Sequence, residues 1–187
     1  MVTCEAASVE SSEQSDSVGL TSQHVIRGRS AIEQPVDGWP SQYEATHAIG
    51  SGGQARVFGA RDARGRAVAI KVPHVDTVAR SRFRREVEAL ERCRHRHIMP
   101  LLDQGDAWYA MPAADGALGA LAPALSEEER LEVIAHVAEG LAHAHALDCC
   151  HRDVTPGNVM RLSDDLGRRW VIGDFGTVRV NEDETAS

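Results

Sequence analysis

The chain has 187 residues, of which 42% are hydrophobic and 4% aromatic, so it can form the core of one domain, or of one and a half. Its 20 basic and 28 acidic side chains give a formal charge of −8, which argues against a general nucleic-acid binder. No apolar run approaches the roughly 20 residues of a membrane span, and no charged-then-apolar leader opens the sequence.

Cysteines, histidines and arginines are each concentrated locally. The four cysteines include no C-x-x-C pair, which favours a reducing compartment, the cytoplasm, over a disulfide framework. Histidines and cysteines gather at 143–151, but residues i and i+2 do not share a helix face, which argues against a zinc site. The seven arginines between Arg80 and Arg96 are typical of the solvated face of a helix rather than of a nucleic-acid site.

The first 38 residues have the composition of a disordered segment. Serine recurs seven times there, aromatic side chains are absent, and acidic residues bias the first stretch. Pro35, Gly38 and Pro40 then mark the entry to a different pattern. We therefore expect residues 1–38 to be disordered and folded structure to begin near residue 39.

The pattern that follows is one of strands with tight turns. Three strands are predicted, at 43–49, 55–61 and 67–72. Asp62-Ala63-Arg64-Gly65 predicts a hairpin turn between the second and the third. Helical spacing comes next, because Phe83, Val87 and Leu90 recur at i, i+4 and i+7 on one face.

The second half of the sequence is richer in helix. Two more short strands are predicted at about 98–102 and 107–111, joined by a turn at Asp103-Gln104-Gly105-Asp106. Ser126 begins a capping box, with a glutamate three residues on, and this predicts a helix to about residue 147. The apolar stripe of that helix is predicted to be Ile134, Val137, Ala138 and Leu141. This order of elements indicates a two-lobed α+β protein.

A glycine cluster, Gly50–Val57, lies between the first two predicted strands. Its small side chains would let backbone N–H groups approach phosphate oxygens. A dinucleotide-binding loop would open into a helix and a Walker loop would contain G-K-[ST], so neither fits. Lys71 lies on the third strand, and Glu86 follows 15 residues later on the predicted helix. A lysine paired with that carboxylate could hold the α- and β-phosphates of a nucleotide.

The strongest signal is His151-Arg152-Asp153-Val154-Thr155-Pro156-Gly157-Asn158, followed by Asp174-Phe175-Gly176. In the pattern H-R-D-x-x-x-x-N, the aspartate orients a hydroxyl nucleophile and accepts its proton, and the asparagine binds a metal. The Asp174 carboxylate would bridge Mg²⁺ to the β- and γ-phosphates of a nucleotide. This order of polar groups predicts chemistry on the phosphates of a nucleotide.

On these motifs, residues 43–187 resemble the first part of a eukaryotic-like Ser/Thr protein kinase domain of bacterial type. The resemblance implies a kinase-like two-lobed α+β fold, with a complete small lobe at 39–112 formed by a five-stranded antiparallel sheet and one helix. Residues 113–187 would be the first part of the helical large lobe. ATP, Mg²⁺ and a protein substrate are the implied ligands.

The resemblance also implies roles for individual residues. Asp153 would be the catalytic base, Lys71 and Glu86 the ATP-anchoring pair, and Asn158 and Asp174 the Mg²⁺ ligands. The nucleotide would be lined by Gly50, Gly52, Gly53, Val57, Ala69, Lys71, Met111, Pro112, Ala114 and Met160. Among these, Met111 would be the gatekeeper, and the Pro112 carbonyl and the Ala114 N–H would read the adenine edge. The apolar column that joins the lobes would be Leu90, Leu101, His151 and Phe175.

Two departures from the family pattern bear on activity. Thr155 occupies the position where most Ser/Thr kinases have a lysine, and a neutral hydroxyl in place of a cation is expected to lower the rate by one or two orders of magnitude, from roughly 1.5–3 kcal/mol per charge-assisted contact. Only 11 residues follow Gly176. We therefore expect a truncated copy with poor activity on its own, whose second helix exposes apolar surface.

Two alternatives remain open from the sequence. The chain could be a non-catalytic, pseudokinase-like module that binds nucleotide or docks on a partner that completes its large lobe. A small-molecule phosphotransferase of the aminoglycoside-kinase type would share the catalytic aspartate and asparagine. That class usually lacks the arginine before the aspartate and the Phe-Gly after the metal ligand, which makes it the weaker alternative.

Overall fold

The computed structural model describes residues 36 and 38–180, so almost all of the segment predicted to be disordered lies outside the described residues. Five strands form one antiparallel sheet in the order β1-β2-β3-β5-β4. Their bounds are Glu44–Ser51 (β1), Ala55–Arg61 (β2), Ala67–Pro73 (β3), Asp103–Gly105 (β4) and Trp108–Pro112 (β5). The expected five-stranded sheet of a small lobe is thereby confirmed.

The hairpin between β2 and β3 forms at the predicted turn. The Asp62 carboxylate accepts hydrogen bonds from the backbone N–H groups of Arg64 and Arg66, both at 2.9 Å. Gly65 adopts a φ of 76°, which a residue with a Cβ rarely does, and its N–H donates to the Asp62 carbonyl at 2.8 Å. This turn fixes the register that runs from Arg61 opposite Ala67 back to Ala55 opposite Pro73.

Helix α1, Thr77–Arg92, packs on the sheet through the predicted face. Asp76 caps it, because its carboxylate accepts the N–H of Ala79 at 2.7 Å. Phe83, Val87 and Leu90 are buried, as their spacing predicts. Glu86 is buried on the same helix, an unusual environment for a carboxylate unless it is paired.

The prediction of a strand at 98–102 with a turn at 103–106 is wrong. Strand β4 begins only at Asp103, and the turn that precedes β5 is Asp106-Ala107. The apolar residues before β4 pair elsewhere: the Met99 N–H donates to the Ile172 carbonyl at 2.8 Å, and Ile98 forms a parallel bridge with Ile172. Ile98 and Met99 are buried at this contact with the second lobe, whereas Leu102 is 49% exposed.

The described part of the second lobe contains two helices and five short strands. The helices are Leu118–Leu121 (α2), which a 3₁₀ turn at Ala122–Ala124 extends, and Glu127–Ala146 (α3). The strands are Gly116–Ala117 (β6), Cys149–Cys150 (β7), Val159–Asp164 (β8), Gly167–Ile172 (β9) and Arg179–Val180 (β10). Strands β6, β8 and β9 form one small sheet, and β7 pairs with β10. A second 3₁₀ turn, Phe175–Thr177, follows β9.

Helix α3 begins at the predicted capping box, in which the Ser126 side chain accepts the Glu129 N–H at 3.2 Å. Its predicted apolar stripe is partly wrong. Val137 and Leu141 pack against the core, but Ala138 is exposed and Ile134 is 65% exposed. The fully buried positions are Val133, Gly140 and Ala144. The helix is rotated so that Gly140 meets the preceding lobe: a Cβ on this residue would lie 2.7 Å from the His97 carbonyl oxygen.

The junction at His97 joins the segment after α1 to α3 and β9. The buried His97 ring contacts the Trp170 carbonyl through Nδ1 at 2.9 Å, and Nε2 lies 3.3 Å from a Glu139 carboxylate oxygen. The His136 ring stacks on it with centroids 3.9 Å apart. Burial lowers the pKa of His97 below its ordinary 6.5, and the hydrogen bond to Trp170 offsets only part of that effect.

Two further findings concern the described residues only. No helix among them is long and apolar enough to cross a membrane. No group of three or more histidine, cysteine, aspartate or glutamate side chains within residues 38–180 is placed to hold a metal ion, which includes the concentration at 143–151. Cys93, Cys149 and Cys150 are free thiols.

Candidate active site

A cavity of about 450 Å³ lies between the five-stranded sheet and the second lobe. It brings together the residues that the sequence predicted for the nucleotide, since its lining includes Gly50, Gly52, Gly53, Val57, Ala69, Lys71, Glu86, Met111, Pro112, Ala114, Asn158, Met160 and Asp174. Asp153 and Thr155 are not among the lining residues. The cavity therefore unites residues from both ends of the chain's folded part in one concave site.

Lys71 is the electrostatic centre of this cavity. Its Nζ donates to both carboxylate oxygens of Glu86, at 2.7 and 2.8 Å, and to Oδ1 of Asp174 at 3.0 Å. The Lys71 side chain is 13% exposed and that of Glu86 3%, whereas that of Asp174 is 49% exposed. Strand β3 presents the lysine and α1 the glutamate, so the ion pair ties the helix to the sheet.

The two carboxylates determine the charge state of the lysine. Burial alone would lower the pKa of Lys71, but the negative charges of Glu86 and then Asp174 outweigh it and raise that pKa above its usual 10.5. Burial likewise opposes the ionisation of Asp174, yet the Lys71 ammonium holds the pKa of that carboxyl below its usual 3.8. A cation and a partly exposed anion therefore persist side by side at neutral pH.

The catalytic-loop motif forms a second polar group beside the cavity. Asn158 Nδ2 donates to the Asp153 carbonyl at 2.8 Å and lies 3.3 Å from the Asp153 carboxylate. The buried His151 ring contacts the Gly173 carbonyl through Nε2 at 2.9 Å, which links this loop to the segment that carries Asp174. Asp153 and Asn158, which belong to one motif, are thus in direct contact.

Comparison with known proteins decides the family. The protein kinase domain matches residues 43–186. The chain is 39% identical over 155 residues to the DNA damage-responsive serine/threonine-protein kinase RqkA of Deinococcus radiodurans, covering 75% of this chain and 23% of that protein. It is 36% identical over 144 residues to the serine/threonine-protein kinase PknF of Mycobacterium tuberculosis, covering 68% and 30%. The chain belongs to the protein kinase family. It spans less than a third of the length of these two relatives.

The apolar side of the cavity is formed by residues of β3, β5 and β8. Ala69 lies opposite Met111 in the β3–β5 pairing, and Met160 on β8 lines the same cavity. Ala114 follows the end of β5, and no hydrogen bond within the described residues occupies its N–H. A free backbone donor at the edge of an apolar slot suits recognition of a flat heterocycle, which is the chemistry expected of this segment of a kinase.

The residues of the apolar column implied by the kinase resemblance lie in or beside one hydrophobic core. Leu90 and Phe175 are buried in the same hydrophobic core, and Leu101 packs against it, partly buried. The rings of His151 and Phe175 meet edge to face with centroids 4.5 Å apart. Phe175 therefore packs in the core beside α1 and does not line the cavity, whereas Asp174 does and lies 3.0 Å from Lys71.

Tyr109 is a residue of the site that the motifs did not identify. Its buried hydroxyl donates to Glu86 Oε1 at 2.9 Å. Burial, together with the Glu86 charge, raises the pKa of Tyr109 well above its usual 10, so the hydroxyl keeps the proton that it donates. The available signal was the period of two in β5: Tyr109 shares a face with Met111, and the register places it directly opposite Lys71.

The backbone adopts left-handed conformations at two positions of the kinase motifs. Arg152 has a φ of 67° and Asp174 a φ of 58°. For an arginine this region costs roughly 1–2 kcal/mol, which packing of the surrounding loop must offset. These two residues immediately precede Asp153 and Phe175 in the two motifs. The residue pattern of the motifs does not predict this conformation.

Thr155, the departure from the common kinase pattern, is exposed on the catalytic loop. Its carbonyl accepts the Asn158 N–H at 2.9 Å, which closes a tight turn between Asp153 and Asn158. The side chain supplies a hydroxyl and no charge. Among the described residues that line the cavity, Lys71 is therefore the one that carries a positive charge.

Proposed function

We propose that this chain binds Mg-ATP in the cavity and that, within its full-length protein, it transfers the γ-phosphoryl group to a serine or threonine hydroxyl of a protein substrate. One observation carries the proposal. Lys71, held by two carboxylates, forms part of the wall of a cavity that is lined on one side by the glycine cluster Gly50–Val57 and on another by Met111–Ala114. Backbone N–H donors and a fixed cation suit the negatively charged phosphates of ATP, and the apolar slot suits its purine ring.

Each polar residue has a role that follows from its placement. Lys71, oriented by Glu86, contacts the α- and β-phosphates. Asp153, held by Asn158 at 2.8 Å through its carbonyl, accepts the proton of the attacking hydroxyl. Thr155 is exposed on the same loop.

The residues present fit a magnesium ion. Asn158 uses Nδ2 as the donor to Asp153, so its amide oxygen remains available as a ligand. Asp174 is half exposed and negatively charged, and Mg²⁺ prefers such oxygen ligands. Asn158 and Asp174 would hold the ion, which neutralises phosphate charge when bound. The fit rests on the chemistry of these donors.

Thr155 favours a second candidate, a nucleotide-binding module that does not transfer phosphate. A lysine at this position would place a cation near the γ-phosphate. With threonine, the negative charge of the γ-phosphate lacks that counter-charge. Such a module would act by docking on a partner that completes its large lobe. Exposed Leu131 and Ile134 on α3 are compatible with such a partner.

The free thiols of Cys93 and Cys149 support our placement of the chain in the cytoplasm.

A thermal-unfolding titration tests nucleotide binding. At 100 times its dissociation constant, Mg-ATP should stabilise the chain by about 2.7 kcal/mol, which is roughly 5–10 °C for a protein of this size. Asp174→Asn should remove the Mg²⁺-dependent part, whereas Asp106→Asn in an exposed turn should not. Absence of any stabilisation in the unmodified chain would exclude the proposal for this chain.

Phosphoryl transfer is measured separately, because binding does not separate the two candidates. The chain, and the full-length protein that contains it, would be incubated with γ-labelled ATP, Mg²⁺ and serine- and threonine-containing peptides. Transfer that Asp153→Asn abolishes supports the kinase. Binding without transfer in the full-length protein supports the non-catalytic module, and Thr155→Lys then tests whether the missing cation is the reason.

A further inference from the structure

His74, the first residue after β3, makes two contacts with the glycine cluster. Its backbone N–H donates to the Gln54 carbonyl at 2.9 Å, which extends the β2–β3 ladder by one step. Its ring Nε2 lies 2.8 Å from the Gly52 carbonyl oxygen. A carbonyl oxygen only accepts, so Nε2 carries the proton in this arrangement. One residue thus contacts two carbonyl groups of the loop, those of Gly52 and Gln54.

The contact to Gly52 determines where the next N–H points. In a trans peptide unit the C=O of one residue and the N–H of the following residue point in opposite directions. The Gly52 carbonyl is directed at His74, so the Gly53 N–H is directed away from His74. Gly52 and Gly53 line the cavity and His74 does not, and from this we infer that the N–H is directed toward the cavity.

Without such a contact the orientation of this peptide unit would be poorly defined. Two consecutive glycines have the widest choice of backbone conformation, so rotation of the Gly52–Gly53 peptide meets little steric resistance. The turn has one internal hydrogen bond, from the Gly52 N–H to the Ala55 carbonyl at 3.0 Å. Within the described residues, no hydrogen bond occupies the Gly53 N–H, so it is free to donate to a ligand.

We propose that His74 is a positioning residue for the phosphates of ATP: its ring fixes the Gly52–Gly53 peptide so that the Gly53 N–H is aimed at a phosphate oxygen. The inference rests on the proposed nucleotide binding and adds a residue that none of the nucleotide-binding motifs contains. His74 does not touch the nucleotide. Its ring restricts the glycine loop before the ligand binds, so less conformational entropy is lost on binding. Because the loop contacts the phosphates, this contribution is confined to ligands that carry phosphate.

The test compares Mg-ATP with adenosine, which fills the apolar slot and has no phosphate. Dissociation constants of both are measured by isothermal titration calorimetry for the unmodified chain and three variants. His74→Ala should weaken Mg-ATP about 5-fold, the value of one neutral hydrogen bond, and leave adenosine unchanged. His74→Gln should restore Mg-ATP binding, because its amide nitrogen reaches the place of Nε2. His74→Asn should not, because its shorter side chain reaches only the place of Nδ1.

The control and the outcomes separate the possible failures. His145→Ala removes an exposed imidazole from α3, far from the loop, and should change neither constant. Unchanged Mg-ATP binding in His74→Ala would overturn the inference and leave the proposed function intact. Equal weakening of Mg-ATP and adenosine would also overturn it, because a purely structural role affects both. If the unmodified chain binds no Mg-ATP, the proposed function fails and the inference with it.

Discussion

Replacing Glu86 by glutamine tests the central ion pair with little change in shape. The carboxylate oxygens of Glu86 lie 2.7 and 2.8 Å from Lys71 Nζ, and Asp174 lies 3.0 Å from the same atom. Removing one partner of a buried pair costs about 3–5 kcal/mol when the remaining charge has no compensation. Here Asp174 still compensates Lys71 at a similar distance. We therefore expect about 2 kcal/mol, roughly half of that cost, or about 4–8 °C in the unfolding midpoint.

Urea unfolding of four variants measures this free energy: Glu86→Gln, Lys71→Met, the double variant and a control. Glu88→Gln, on the exposed side of the same helix, is the matched control and should change it by less than about 0.5 kcal/mol. Lys71→Met combined with Glu86→Gln should cost less than the sum of the two single changes, because the double variant leaves no unpaired buried charge from this pair. Equal stability of Glu86→Gln and Glu88→Gln, or strict additivity in the double variant, would refute the reasoning.

Three other changes probe the second lobe by the free energy of unfolding. Gly140→Ala should destabilise by about 1–3 kcal/mol, although alanine favours helices, because its Cβ would meet the His97 carbonyl at 2.7 Å; a stabilised variant would contradict the close packing. Ser126→Ala should cost about 1 kcal/mol through loss of the helix cap, measured by thermal unfolding against Ser126→Asn, which keeps an acceptor. Because the folded pKa of His97 lies below 6.5, the unfolded chain takes up the proton first, and stability should fall as pH drops below 6.5. His97→Gln should make stability depend less on pH in this range. An unchanged pH dependence would mean that other groups cause it.

The chemistry of the site was more predictable than its packing. Spacing alone placed Lys71 on a strand and Glu86 on a helix, and the structure brings the two within 2.7 Å. The contact of Lys71 with Asp174 was not predicted, since it depends on the left-handed backbone at Asp174. Tyr109 was missed because its role arises from the pairing of β3 with β5, which a single strand does not reveal.

The errors in the fold have a common physical cause. Ile98 and Met99 are apolar because they are buried against β9, and periodicity does not tell burial in a sheet from burial between lobes. Helix α3 contains apolar residues on more than one face, including exposed Ile134. The face that turns inward is decided by Gly140, whose missing side chain permits the closest approach. Such a steric choice is visible only when both partners are known.

The chain crosses between the lobes at the end of β5, and the lobes are joined a second time at His97. There the Ile172 N–H donates to the His97 carbonyl at 3.0 Å, and α3 approaches the same carbonyl through Gly140. The Lys71–Asp174 contact at 3.0 Å is a third link between the lobes, and it is made by side chains of opposite charge. The backbone contacts at His97 and the side-chain contact at Lys71 therefore respond to different conditions: salt screens the partly exposed ion pair, whereas it leaves the buried backbone hydrogen bonds largely unaffected.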